Sequence, residues 1–227
     1  MNGHSFTFHG AELVALASGG LFWPAERLYC VADLHLGKSE RIARGGGSLL
    51  PPYETRDTLA RLDADLAGCA PKTVLCLGDS FDDLAAAEGL DDNAALWLTR
   101  MMAGRRWIWI AGNHDPAPVS LGGGHHGEYR HRGLSFRHIA TPEESGEISG
   151  HYHPKIRLHM RGASLSGACF LLDAARLILP SFGTFTGGLR ASSPELDGLM
   201  GPDALALVLG RRVLAVPMRG AGLAKPG

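Results

Sequence analysis

The chain lacks the features that define several large protein classes. Nothing in its 227 residues approaches the ~20 consecutive apolar residues of a membrane span, and its first ten carry neither the basic region nor the apolar core of a secretion signal. No membrane partner is expected, and a cytoplasmic location follows. Cysteine is scarce: Cys30, Cys69, Cys76 and Cys169 show no Cys-x-x-Cys spacing, and three of them lie in apolar runs. They read as reduced core thiols, not as a disulfide frame or metal ligands. Excess charge is also missing, because 22 basic and 23 acidic residues leave a net charge of −1. The global basicity usual for nucleic-acid proteins is absent, so local clusters would have to supply any attraction to a polyanion. There are no internal repeats and no linker-like segment. With 45% hydrophobic and 20% charged residues, residues 1–227 are expected to form a single globular domain.

What the chain does have is four short segments in a fixed order: Asp33-Leu34-His35, Gly78-Asp79, Gly112-Asn113-His114-Asp115 and Gly150-His151-Tyr152-His153. Carboxylate, amide oxygen and imidazole together suit Mn²⁺, Fe or Zn²⁺, whereas Mg²⁺ and Ca²⁺ prefer all-oxygen shells. Residues two apart on an extended backbone point the same way, so Asp33 and His35 can share one ion, and His151 and His153 are expected to face the site while Tyr152 faces elsewhere. Asp79 ends the apolar run Thr73–Leu77, and Gly78 lets the backbone turn close to the ions. The buried run Trp107–Ile110 delivers Asn113 and His114 into the next loop.

The ordered set resembles the calcineurin-like binuclear metallophosphoesterases. That resemblance implies two divalent metal ions, with Mn²⁺ the first expectation. Asp33, His35, Asp79 and His153 would hold one, and Asp79, Asn113, His138 and His151 the other. It also implies a lone histidine between the third and fourth motifs, a place for which His138 competes with His131. His114 would be the acid beside the leaving group. Asp115 either orients His114 or caps the turn at Pro116. A closer likeness joins the extended motifs Asp33–Lys38, Leu77–Phe81, Gly150–Lys155, Leu179–Gly183 and Thr186–Gly188 to a bacterial subgroup, the ligase-associated metallophosphoesterases known as DNA damage response endonucleases. In that subgroup a His commonly follows the Phe of the second motif, where this chain has Asp82; Asp82 and Asp83 read as acids capping a following helix. Phosphoprotein phosphatases of the superfamily read Gly-Asp-x-x-Asp-Arg-Gly, but Asp83 replaces that Arg here, which disfavours a phosphoprotein substrate.

The fold expected is α/β: a four-layer αββα metallophosphoesterase sandwich of two mixed sheets flanked by helices. Residues 5–9 and 11–17 suggest a hairpin, and Arg27–Ala32 the strand presenting Asp33. Apolar spacing predicts helices over Pro52–Leu66 and Asp92–Met102, the latter burying Leu96, Leu98 and Met102. Runs at Ile156–Met160, Cys169–Leu172, Ala175–Leu179 and Val213–Val216 predict a second, largely antiparallel sheet. The glycine-rich stretch Leu121–Arg132 reads as a loop beside the site, and its three histidines are not counted as ligands. His4, His9 and His159 read as structural.

Three functions compete. The first is an endonuclease or phosphodiesterase on DNA, preferably single-stranded, with DNA ligase and helicase as pathway partners and Lys38, Arg41, Arg44 and Lys155 as a basic rim for substrate phosphate. The second is a small-molecule phosphoesterase acting on cyclic nucleotides or sugar phosphates. The third is an inactive scaffold, whose mark would be lost ligands.

Overall fold

In the computed structural model, which describes residues 2–44, 53–83, 85–86, 89–115, 121–160 and 163–219, the chain opens as the expected hairpin. Strand β1 (Gly3–Phe8) pairs antiparallel with β2 (Ala11–Leu16), followed by β3 (Leu21–Trp23) and β4 (Leu28–Val31). Helices α1 (Lys38–Arg44) and α2 (Glu54–Cys69) come next. Then β5 (Thr73–Leu77), α3 (Asp92–Met102), β6 (Arg106–Ile110) and β7 (Gly124–His126) extend the sheet in parallel from β4. The order of this sheet is β1-β2-β3-β4-β5-β6-β7.

A second sheet follows from β8 (Glu128–His131), β9 (Leu134–Arg137), β10 (Glu147–Ser149), β12 (Ala163–Leu172), β13 (Arg176–Ile178), β14 (Leu205–Val208) and β15 (Leu214–Pro217). Strand β11 (Lys155–Met160) pairs with β12, and helix α4 (Pro194–Leu199) precedes β14. This sheet is mixed: β10 runs parallel to both β9 and β13, and the remaining pairs are antiparallel.

Alternation along each strand explains the layering. Leu28 and Cys30 of β4, Leu75 and Leu77 of β5, and Ile108 and Ile110 of β6 pack against Phe136, Ile148, Phe170 and Leu177 of the second sheet. The intervening Tyr29, Val31, Val74, Cys76, Trp107 and Trp109 pack against Leu59, Leu62 and Leu66 of α2 and Leu98 of α3. Strands buried on both faces read as continuous apolar runs, which is why these were visible in the sequence. Each fully buried leucine contributes about 1.5–3 kcal/mol relative to exposure. On the outer face of the second sheet, Cys169, Leu171, Ile178 and Ala206 meet Leu196 of α4. The result is an α/β/β/α sandwich. All four cysteines are buried, and none forms a disulfide.

Several local expectations need correction. Helix α2 starts at Glu54 and runs on to Cys69; Pro52 lies outside the described residues. In α3 the buried positions are Ala94, Leu98 and Met101, and Leu96 is exposed, because the apolar stripe is set one residue away from the pattern assumed. Residues 121–132 are not simply a loop. They supply β7 to one sheet and β8 to the other, and so form the crossover between the two. Their parallel and edge pairings rest on backbone hydrogen bonds, which a glycine- and histidine-rich composition does not advertise.

Candidate metal centre

The motif residues gather where the strands end. Asp33 follows β4, Asp79 follows β5, Asn113 and His114 follow β6, His138 follows β9, and His151 and His153 follow β10. Loops at the carboxyl ends of parallel strands are the usual ligand site of an open α/β sheet. The backbone at these residues is not the extended one expected. Asp33, His35, Asp79, His151 and His153 all have positive φ, between 44° and 70°. Such conformations cost residues with a Cβ about 1–2 kcal/mol each and gather at functional sites. Asp33 and His35 therefore reach a common target, and His151 and His153 two neighbouring ones, by tight left-handed kinks and not by strand alternation. Gly78 and Gly112 allow the close approach. A Cβ on Gly78 would meet the His138 ring at 2.4 Å, and one on Gly112 would meet Asp79 Oδ1 at 2.2 Å.

Two ligand groups result. Asp33, His35 and His153 form one, and Asp79, His138 and His151 the other, with donor atoms in each group lying within 4.8 Å of one another. These two groups do not share Asp79. Asn113 joins the second through its Oδ1, 2.9 Å from His138 Nε2.

Hydrogen bonds on the far ring nitrogens set the tautomers of two ligand histidines. His138 Nδ1 donates to the Leu77 carbonyl at 2.9 Å, so the neutral ring presents a bare Nε2. That Nε2 faces His151 Nδ1 at 3.2 Å and Asp79 Oδ2 at 3.4 Å. His35 Nδ1 donates to Asp82 Oδ1 at 2.8 Å, and its Nε2 faces His153 Nε2 at 3.4 Å. Lone pairs thus converge in two places, and the buried Asp33 Oδ1 has no hydrogen-bond partner. Burial alone would lower the His138 imidazole, yet the carboxylates of Asp79 and Asp33 raise it. Burial likewise opposes ionisation of Asp79, but His138 and the His114 N–H bring it down to about 2. Each place thus combines a carboxylate with imidazole nitrogens, and the residues fit a pair of divalent metal ions.

His114 stands beside the groups, not in them. Its ring centroid is 5.4 Å from that of His35, its Nδ1 donates to the Asp82 carbonyl at 2.9 Å, and its backbone N–H donates to Asp79 Oδ1 at 2.9 Å. Asp115 does not contact the His114 ring. Its carboxylate accepts from the backbone N–H groups of Ser80 (2.7 Å), Phe81 (3.2 Å) and Gly112 (3.2 Å), tying the second motif's loop to the third's. Burial pushes its carboxyl up to about 6 against those bonds. The alternative of a cap at Pro116 lies outside the described residues.

Asp82 is the residue that sequence reasoning missed. It is fully buried, with one carboxylate oxygen on His35 and the other on Arg41 Nε, and its carbonyl holds His114. Burial opposes its charge, but the bonds from His35 and Arg41 hold it at about 2. It is therefore not a helix cap. The Asp79-x-x-Asp82 spacing is the one signal in the sequence that points to it. A carboxylate on the far nitrogen of a metal-binding histidine fixes its tautomer and raises its basicity. Asp82→Ala is expected to weaken metal binding about 10–100-fold, as loss of such supports does. Calorimetric titration of the stripped protein checks this, and unchanged affinity for both ions would remove Asp82 from that role.

The basic rim is only partly free. Arg41 is engaged by Asp82, and Lys155 Nζ donates to the Thr186 carbonyl at 2.9 Å. Lys38 starts α1 and helps lower Asp82. The Arg44 side chain lies outside the described residues. His131 bonds Glu26 at 2.8 Å and belongs to neither ligand group, whereas His138 belongs to one. His9 bonds the Ala174 carbonyl at 2.8 Å.

Comparison with known proteins agrees with this geometry. The structure resembles the crystal structure of Pseudomonas putida nuclease MPE, with a TM-score of 0.74 and 29% sequence identity, over 95% of this chain and 100% of that one. No curated protein sequence matches. No helix among the described residues is long and apolar enough to cross a membrane. The family model described as calcineurin-like phosphoesterase matches residues 26–162, which hold every residue of both ligand groups. The chain belongs to the calcineurin-like phosphoesterase family and is a metal-dependent hydrolase of phosphoester bonds.

Proposed function

We propose that the protein is a phosphodiesterase that cuts DNA internally, with single-stranded DNA preferred, as part of DNA repair. The observation that carries this is the shape around the ligand groups. One cleft of about 300 Å³ is lined by Gly112, Asn113, Arg137, His138 and Ile139, and another of about 350 Å³ by His151, Tyr152, His153, Gly188 and Leu189. They adjoin where His138 meets His151. A strand passing through has room on both sides of a central phosphate, whereas a small phosphate ester favours one deep pocket. The nuclease neighbour supports the same substrate class. Ligase and helicase partners, and Mn²⁺ as the resident ion, belong to this reading on the strength of the subgroup resemblance.

When bound, a pair of divalent ions supplies Lewis acidity that makes water nucleophilic near neutral pH and offsets charge growing on the phosphorus centre. Asp33, His35 and His153 would hold one ion, and Asp79, Asn113, His138 and His151 the other, with Asp79 proposed to touch both. His114, its Nδ1–H committed to the Asp82 carbonyl, would use Nε2 to deliver a proton to the departing oxygen. Asp115 holds the two loops in register through its backbone bonds and has a positioning role.

The test offers the protein Mn²⁺ with circular single-stranded DNA, which has no ends, beside a chromogenic phosphodiester and a cyclic nucleotide. Linearisation of the circle is expected. Hydrolysis of the small esters with the circle intact would replace this reading by the small-molecule one.

A further inference from the structure

Among the exposed large hydrophobic side chains, Ile139 and Leu189 line the two clefts at the ligand groups, and Phe185 and Tyr53 are exposed as well. Ile139 directly follows His138 and forms a wall of the first cleft, and Leu189 forms a wall of the second. Phe185 lies on the same loop as Leu189, and the Tyr53 ring packs on it at 5.8 Å.

That loop is fixed to the ligands at both ends. The Gly183 N–H donates to the Asp33 carbonyl at 3.0 Å, as does the Ser181 hydroxyl at 2.8 Å. The Leu189 N–H donates to the carbonyl of Tyr152, between the two ligand histidines, at 3.0 Å. At Gly188 a Cβ would meet the His153 carbonyl oxygen at 2.1 Å, so the loop sits directly on that ligand's backbone. Within this anchored loop Phe185 has a φ of 59°, a conformation disfavoured for any residue with a Cβ, yet its ring stays 43% exposed. Apart from its contact with Tyr53, the strained residue leaves much of its side chain in water. Strain of this kind is retained where it presents a side chain to a ligand.

We infer that these apolar walls are nucleobase subsites on either side of the scissile phosphate, with Phe185 and Leu189 serving one flank and Ile139 the other. The inference rests on the phosphodiesterase reading and adds how a DNA strand is recognised. Bases fit as occupants because the Ile139 and Leu189 walls continue into the ligand groups, where a phosphate would sit, and because the cations described nearby are largely paired: Arg137 of the first cleft bonds Glu128. Arg41 and Lys155 are both internally bonded, so phosphate contacts alone supply little attraction for a chain of net charge −1. Stacking on the Phe185 ring and apolar packing on Leu189 and Ile139 supply the rest, and both are open only to unpaired bases, which gives a preference for single strands without any sequence readout.

The experiment measures equilibrium binding of the metal-loaded protein to a short single-stranded phosphorothioate DNA, which resists hydrolysis, and to the same backbone with abasic sugars. The unaltered protein is expected to bind the base-containing strand at least about fivefold more tightly, the lower end of what stacking of one base contributes. The Phe185→Ala, Leu189→Ala double variant should bring the two affinities together by weakening only the base-containing strand. Phe185→Trp should keep the difference, and Leu96→Ala, on the exposed face of α3, serves as an unrelated surface change. Equal affinities in the unaltered protein, or an equal loss on both strands in the double variant, overturn the inference. The underlying reading is checked separately with a chromogenic phosphodiester. If the unaltered protein hydrolyses the diester while the strands bind alike, only the base subsites fall. An intact diester overturns the reading and the inference together.

Discussion

His114→Ala is expected to retain its full metal content while kcat falls roughly 10²–10⁴-fold, the usual scale for loss of a general acid. The separation of the two effects follows from the contacts. The imidazole belongs to neither ligand group, and its one polar bond is to the Asp82 carbonyl. What His114 gives the ligands is its backbone N–H on Asp79 Oδ1, and alanine keeps that N–H. His114 is partly exposed, so truncation opens no large cavity. Elemental analysis beside steady-state kinetics on a chromogenic diester reads both quantities. A variant that lost an ion with its activity would move His114 into the ligand set. Substrates with a better leaving group need less proton assistance, so the defect should shrink as the leaving group's acidity rises. A purely structural role would leave that dependence unmoved.

The fold was legible in the sequence wherever burial on both faces of a strand wrote a continuous apolar run. Thr73–Leu77 and Trp107–Ile110 are of this kind, and they are also the strands that deliver Asp79 and Asn113. Burial is a property of composition, and composition is visible. Strands β7 and β8 were not legible, because Gly124–His126 and Glu128–His131 hold their places by backbone pairing and carry neither alternation nor apolar content. The ligand types were legible because coordination chemistry restricts them to few side chains. Their geometry was not. A sequence does not announce that Asp33, His35, His151 and His153 adopt positive φ, since the surrounding structure imposes it. The contacts of Asp82 and Asp115 were not legible for a related reason. Each acts through contacts across loops, 47 residues from Asp82 to His35 and 35 from Asp115 to Ser80, and local capping rules are blind to such distances.

Asp79→Asn is expected to abolish the second tightly held ion and with it nearly all hydrolysis, while the protein stays folded. Asp79 is buried, and its carboxylate lies 3.4 Å from His138 Nε2 while Oδ1 accepts the His114 N–H. Asparagine preserves that acceptor and the volume of the side chain, so the loop from Gly78 keeps its shape. What it removes is the charge. Without it, His138, His151 and Asn113 form an all-neutral set, and Asp33 is left as the carboxylate of the other group. Loss of a direct anionic ligand should exceed the about 10–100-fold cost of losing a supporting carboxylate such as Asp82, so the two variants can be ranked in one titration. If Asp79 also touches the first ion, as proposed, affinity at both places should drop. A drop at one place only would confine Asp79 to the His138 and His151 group. Two ions held as tightly as in the unaltered protein would exclude it as a ligand altogether, and the convergence of bare nitrogens on its carboxylate would then need another explanation.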